Sequence, residues 1–296
     1  MSTWVGSGAA AGGGASAWLT GRDHGVPDPA CALDGDSRAL ILAQVVRLVM
    51  SAPGSVTAGW KRFWQGVTAT GEAGDVLWDS ENPHRTRRVP AVHQWIPGSG
   101  AARGRRRMRQ RPLHPVAGQP VPAAVGVDVA SAAVTRARNE SDGTTNVSFR
   151  VMDATAVGAG AQLRAELGEV NVFVRGLFHT LDPATSRALA GELRPVLGSR
   201  GRLLLIETDF PGGQWDYLEL LGATARTMPT PLARAMTVGS RPHPFGPPEL
   251  HRTFPDRWWD TVTEGSTTIR TIPLQHTGQG ERIPGYLAVL AVKAPC

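Results

Sequence analysis

VNVFVRGLFHTLDPATSRALAGELRPVLGSRGRLLLIETD, residues 170–209, holds two apolar runs with a helical stretch between them. The runs VNVFVRG (170–176) and RLLLIET (202–208) are short and rich in valine, leucine or isoleucine, as strands buried on both faces are. Between them Asp182-Pro183 opens a helix and Gly198 closes it, with Pro195 inside the last turn. Aspartate offers an N-cap acceptor, proline has no N–H to lose in a first turn, and glycine suits the turn that ends a helix. Strand, helix and strand of these lengths make a βαβ unit with parallel strands.

The same rhythm extends outward. Upstream lie the strand-like NVSFRVMD (146–153) and the helical AGAQLRAEL (159–167), which ends at Gly168. Before them stands VGVDV (125–129), with Ser131 read as the cap of the helix AAVTRARNE. Downstream a helix is expected over 214–225, then a proline-rich insertion over 226–258 carrying helix-sized pieces. Two β-rich runs, 261–274 and 286–293, end the chain and suggest an antiparallel hairpin at a sheet edge. Near the start, Trp60, Phe63, Trp64 and Val67 recur at helical spacing, Gly71 and Gly74 end that helix, and VLWD (76–79) follows. Residues 1–49 are Gly/Ala-rich with one apolar run over 39–50 and are expected to lie outside the core, as a disordered or non-native extension. The remainder, 50–296, is expected to be one domain.

Hydrophobic content is 41%, ordinary for a globular core, and no apolar stretch is long enough to cross a membrane. No secretory signal is read at the N-terminus. Cys31 and Cys296 form neither a disulfide framework nor a zinc set, so two reduced thiols in a cytoplasmic protein are expected, with no metal. The net charge of +6 points at first to an acidic partner. Between Glu81 and Asp128, however, there is no acidic residue, and nine arginines (85, 87, 88, 103, 105, 106, 107, 109 and 111) crowd there. Without them the net charge is −3, so the basic character belongs to one segment.

The ordered series from residue 125 onward, and more weakly residues 60–80, resembles the class I S-adenosylmethionine-dependent methyltransferases, in particular their small-molecule members. The resemblance implies an α/β fold: a Rossmann-like, doubly wound, mostly parallel sheet with a terminal antiparallel hairpin. It implies S-adenosyl-L-methionine as cofactor and a small-molecule methyl acceptor. Asp128 with Val129 would meet the ribose hydroxyls, and Asp153 with the N–H of Ala154 the adenine amino group. Trp78, and less so Trp64, would cover the cofactor. Methyl transfer asks mainly for positioning, with a base where the acceptor bears a proton. His179 is the candidate base; packing at a helix start is its equally ready alternative. Arg175 would meet an anionic acceptor or cofactor group, or pair with Asp182 or Glu207. Glu207 and Asp209 end the last parallel strand, and His243, Phe245 and Trp258 in the insertion would line an acceptor pocket or pack a lid. Nucleic-acid methyltransferases carry an Asn/Asp-Pro-Pro-aromatic motif after the fourth strand; RGLFHT stands here instead, so nucleic acid is not expected as a partner.

One part is missing. A strand and a glycine-rich turn, E/D-x-G-x-G-x-G in the family, should precede VGVDV, so that the backbone can approach the cofactor. Residues 100–124, within the anomalous basic segment 85–124, hold GAARGRRRMRQRPLHPVAGQPVPAA in that place, and successive arginines do not fit a strand buried on both faces. The genetic code offers a source. If each codon's second and third bases are read with the next codon's first base, Met108 before a CGN arginine gives Cys, and Gln110 before one gives Asn or Ser. Degenerate third bases then allow residues 100–121 to become ELPVVDVGCGNGRFTRLLASRF: a buried strand, a GCGNG turn and a helix. The glycine loop is thus expected to be lost to an out-of-frame stretch, with activity impaired. The alternative is a non-catalytic methyltransferase-like protein that binds partners or nucleic acid through the arginines.

Overall fold

A computed structural model describes residues 3–6, 35–71, 74–79, 123–143, 145–240, 242–272, 274 and 282–294. Seven strands among them form one sheet: β1 (Thr3–Gly6), β2 (Ala124–Asp128), β3 (Val147–Val151), β4 (Asn171–Arg175), β5 (Leu203–Thr208), β6 (Trp259–Arg270) and β7 (Arg282–Val292). Their order across the sheet is β3-β2-β1-β4-β5-β7-β6. The helices are α1 (Gly35–Met50), α2 (Val56–Gln65), α3 (Ser131–Glu140), α4 (Ala159–Leu167), α5 (Pro183–Leu197), α6 (Gln214–Leu220), α7 (Thr230–Met236) and α8 (Pro247–Thr253), with a 3-10 turn at Phe178–Thr180.

The local signals act as the sequence suggests in the central βαβ unit. Asp182 accepts from the N–H of Ala184 and of Thr185, at 2.9 and 3.0 Å, and Pro183 opens α5. The Thr185 hydroxyl, first among these donors, holds the Asp182 carboxyl below its ordinary range. Gly198 closes α5 at a φ of 57°, a conformation that costs glycine little. Ser131 is not the cap of α3. It is the first helical residue, and Asp128 Oδ1 instead accepts from the N–H of Ala130 at 2.8 Å. Phe149 lies beside Gly126 in the β2–β3 ladder, where an added Cβ would stand 2.6 Å from the ring, so the valines of VGVDV could not be continued at that position.

Alternation along each strand divides two apolar layers. Val125, Val127, Val172, Val174, Leu203 and Leu205 share one core with Leu189 and Leu193 of α5. Ile206 and Ile283 belong to another, with Leu218 of α6, Leu232 of α7 and Ile41 of α1. Helices thus cover both faces, the doubly wound arrangement of an α/β protein.

Two expectations change. β2 to β6 all run one way, but β1 and β7 are reversed, so four of the six neighbouring pairs are antiparallel. The hairpin accounts for β7. β1 is unforeseen: residues 3–6 occupy the central place between β2 and β4, antiparallel to both. Residues 1–49 therefore do not all lie outside the core, since Ile41 of α1 is also buried, 1% exposed. A short sequence such as TWVG is drawn in because the inner edges of β2 and β4 would otherwise leave backbone N–H and C=O groups unpaired. The arginine-rich residues 85–122 lie outside the described residues.

Candidate active site

The carboxyl ends of β2, β3, β4 and β5 lie along one edge of the sheet, the edge at which open α/β sheets bind ligands. Asp128 ends β2, half-buried, with Val129 half-buried after it. The N–H of Met152 donates to the Asp128 carbonyl at 2.9 Å, so the next strand end is tied to it. Asp153 follows, exposed, and its Oδ1 accepts from the Thr155 N–H and hydroxyl at 2.9 and 2.7 Å. Ala154 is half-buried beside it. Neighbouring parallel strands thus bring both carboxylates to adjacent positions on the edge.

Arg175 ends β4, half-buried, and Gly176 turns the chain at a φ of 63°. The 3-10 turn then carries His179 to the end of β5, where Glu207 is fully buried. Three backbone N–H donors and an imidazole nitrogen converge on that carboxylate. Oε1 accepts from the N–H of Leu177 and of Phe178, at 2.9 and 3.0 Å. Oε2 accepts from the N–H of His179 at 3.2 Å and meets the His179 Nδ1 at 2.8 Å. Such an arrangement compensates the cost of burying the charge. Nothing in the leucine run of β5 signals this partnership; the parallel register Arg175↔Ile206 creates it.

The insertion is fastened to the same edge. The N–H of His243 donates to the His179 carbonyl at 3.0 Å, and that of Phe245 to the Thr208 carbonyl at 2.9 Å. Phe245 is core, 1% exposed and packed on Phe178, and so lines no pocket. Trp258 lies at the surface under the Arg194 guanidinium, 4.2 Å from the ring centre, so it too is no part of this edge's lining. Asp209 is half-buried, and burial first, then the nearby Glu249, raises its carboxyl above the ordinary range. Trp78 stacks on Phe63 at 5.6 Å and meets Trp60 edge-on, in an aromatic cluster with α2 that also includes Trp64.

Asp128, Asp153 and Ala154 suit the ribose and adenine portions of the expected cofactor in kind and in strand order. The glycine cradle does not fit. β1 runs backwards, so its only glycine, Gly6, pairs with Ala124 and Asn171 at the opposite edge of the sheet. No strand-to-helix turn leaves the middle of the sheet toward Asp128 among the described residues.

No family profile matches the chain, and no curated protein does. Solved structures are similar. A S-adenosylmethionine-dependent methyltransferase from Anabaena variabilis superposes with a TM-score of 0.51 at 28% identity, over 57% of this chain and 68% of that one. Another S-adenosylmethionine-dependent methyltransferase, from Methanosarcina mazei, reaches 0.36 at 17% identity, over 56% and 80%. The 1,6-didemethyltoxoflavin-N1-methyltransferase of Burkholderia thailandensis, solved with S-adenosylhomocysteine, reaches 0.31 at 15%, over 57% and 60%. The first of these carries the comparison. The chain thus has the fold of the class I S-adenosylmethionine-dependent methyltransferases, the family its sequence resembles.

Proposed function

We propose that this chain is a small-molecule methyltransferase whose cofactor cradle has been lost, so that it binds S-adenosylmethionine weakly or not at all. The observation that carries the reading is the reversed strand in the central place of an otherwise ordered sheet. The methyltransferase domain takes in residues 50–296 together with β1 and α1, with 85–124 the out-of-frame segment and 226–258 the acceptor-side insertion. The fastening of His243 and Phe245 across the ends of β4 and β5 supports that last assignment. Asp128 with Val129 holds the ribose, and Asp153 with Ala154 the adenine. Arg175 and Trp78 complete the cofactor side, with Trp78 the least supported, because it packs among the rings of α2. His179 takes a proton from the acceptor. The protein works in the cytoplasm; among the described residues no helix is long and apolar enough to cross a membrane.

Calorimetric titration with S-adenosylmethionine tests this in two proteins: the chain as given and one carrying ELPVVDVGCGNGRFTRLLASRF at 100–121. Binding by the second alone supports the reading; tight binding by the first overturns it. Sequencing the encoding DNA across residues 80–125 checks the frame directly.

A further inference from the structure

At the edge of the sheet opposite the strand carboxyl ends, an exposed indole is flanked by two guanidiniums. Trp258 precedes β6, whose first residue, Trp259, pairs with Val292 of β7, while Leu290 of β7 pairs with Leu203 at the start of β5. Trp258 is 43% exposed. The Arg194 Cζ lies over its ring, 4.2 Å from the centre, and the Arg257 Cζ lies 5.9 Å from it. The ring quadrupole holds a guanidinium on an indole face, and the N–H donors along the guanidinium's own edge stay free. Here those donors are unused. Neither guanidinium has a hydrogen-bond or carboxylate partner among the described residues. The Arg194 Nε is closed off from solvent without an acceptor, so no contact within the described chain compensates its burial. The nearby acids are engaged elsewhere: Asp256 Oδ1 lies 3.7 Å from the His251 Nδ1, and Asp260 Oδ1 lies 3.4 Å from the Lys293 Nζ. Two like charges beside one ring repel, and no carboxylate stands between them.

We propose that Arg194, Trp258 and Arg257 form an anion site, and that its ligand is a phosphate group, free or as a monoester. The Arg194 fork, pinned on the indole, presents paired donors that suit two oxygens of one phosphate. Arg257 is exposed, and its long side chain closes on the same ion. Two positive charges match a phosphate monoester, which carries about −1.5 to −2 at neutral pH, better than a carboxylate with its single charge. The site stands apart from Asp128 and His179, at the other edge of the sheet. It therefore depends neither on the glycine cradle nor on the methyltransferase reading.

The test titrates the chain as given with inorganic phosphate and, separately, with glycerol phosphate, at an ionic strength held constant with sodium chloride. The readouts are the Trp258 indole N–H and the Arg194 Nε–H resonances in ¹H–¹⁵N spectra, the former identified by its loss in Trp258→Phe. Both resonances are expected to shift saturably with phosphate and to stay in place with chloride. Tighter binding of glycerol phosphate assigns the site to an organic monoester, and tighter binding of inorganic phosphate assigns it to the free ion. Arg194→Lys keeps the charge but loses the fork, and is expected to weaken binding by roughly tenfold. Arg257→Gln is expected to weaken it severalfold. A shift that grows without saturating, or that chloride reproduces, overturns the proposal. So does unchanged affinity in Arg194→Lys and Arg257→Gln, and acetate binding as tightly as phosphate overturns the choice of ligand. If Arg194→Lys does not fold, Arg257→Gln and Trp258→Leu decide, since both positions are exposed. Unchanged phosphate affinity in that pair overturns the site.

Discussion

Asp128 gives its Oδ1 to the N–H of Ala130, so it shapes the turn after β2 and stands at the sheet edge at once. In the frame-restored chain, Asp128→Ala is expected to weaken S-adenosylmethionine binding by about 1–3 kcal/mol, roughly 5- to 150-fold in Kd, because ribose hydroxyls would be left unpaired. Calorimetry measures this, and an unchanged Kd removes Asp128 from the site. Asp75 offers a pH-dependent test away from that edge. Its Oδ2 accepts from the Thr68 hydroxyl and N–H, both at 2.7 Å, and from the Ala69 N–H, and lies 3.0 Å from Arg234. These contacts, the Thr68 hydroxyl foremost, lower its pKa from the ordinary 3.8 to about 2. A depressed carboxylate pKa stabilises the fold above 3.8, and that contribution disappears as pH falls toward about 2. Melting temperatures of Asp75→Asn are therefore expected to depend less on pH across that window than those of the unaltered chain; parallel curves would count against it. The strand-end acids and His179 could be read from position alone, since each follows an apolar run. The Glu207–His179 pairing could not, because it depends on the register of two strands some thirty residues apart in sequence, and no local pattern encodes register.

Elements bounded by strong punctuation were legible: α5 between Asp182-Pro183 and Gly198, and α4 ending at Gly168. Where punctuation is weaker the limits moved. α6 stops at Leu220, because Gly222, at a φ of 82°, turns the chain before the expected end at 225. β6 begins at Trp259, directly after the insertion and two residues before the expected start at 261, and stops at Arg270 rather than 274. The crossing of α4 and α5 was not legible at all. Gly160 permits it: an added Cβ would stand 1.9 Å from the Glu192 carbonyl oxygen, and Glu192 Oε2 accepts the Gly160 N–H at 2.8 Å. Gly160→Ala must push the helices apart and is expected to destabilise by about 1–3 kcal/mol. At roughly 2–4 °C per kcal/mol for a protein of this size, a thermal melt resolves the change. An unchanged melting temperature would show that the crossing yields easily.

Across the whole molecule, residues 3–6 lie in the middle of the sheet, although their sequence surroundings gave no strand signal. A chain beginning at Met50 loses that strand, the burial of Ile41, and the hydrogen bond from Gln44 Nε2 to the Ala225 carbonyl at 3.1 Å. Burial of Ile41 alone contributes about 1.5–3 kcal/mol, so truncation is expected to lower the melting temperature by several degrees or more. The unchanged value that composition suggests would mean that β1 adds nothing. The central strand also has a history on the ribosome. Residues 3–6 are made well before their partners, 124–128 and 171–175. At about 5–20 residues per second, Gly6 waits roughly 10 to 30 s for Arg175 to be synthesised. Meanwhile β2 and β3 are complete before β4 emerges, so residues 3–6 and β4 reach the inner edge of β2 at different times. As β2 and β4 run the same way, they can pair with each other in place of residues 3–6, and a chain that pairs them directly closes the gap that β1 fills.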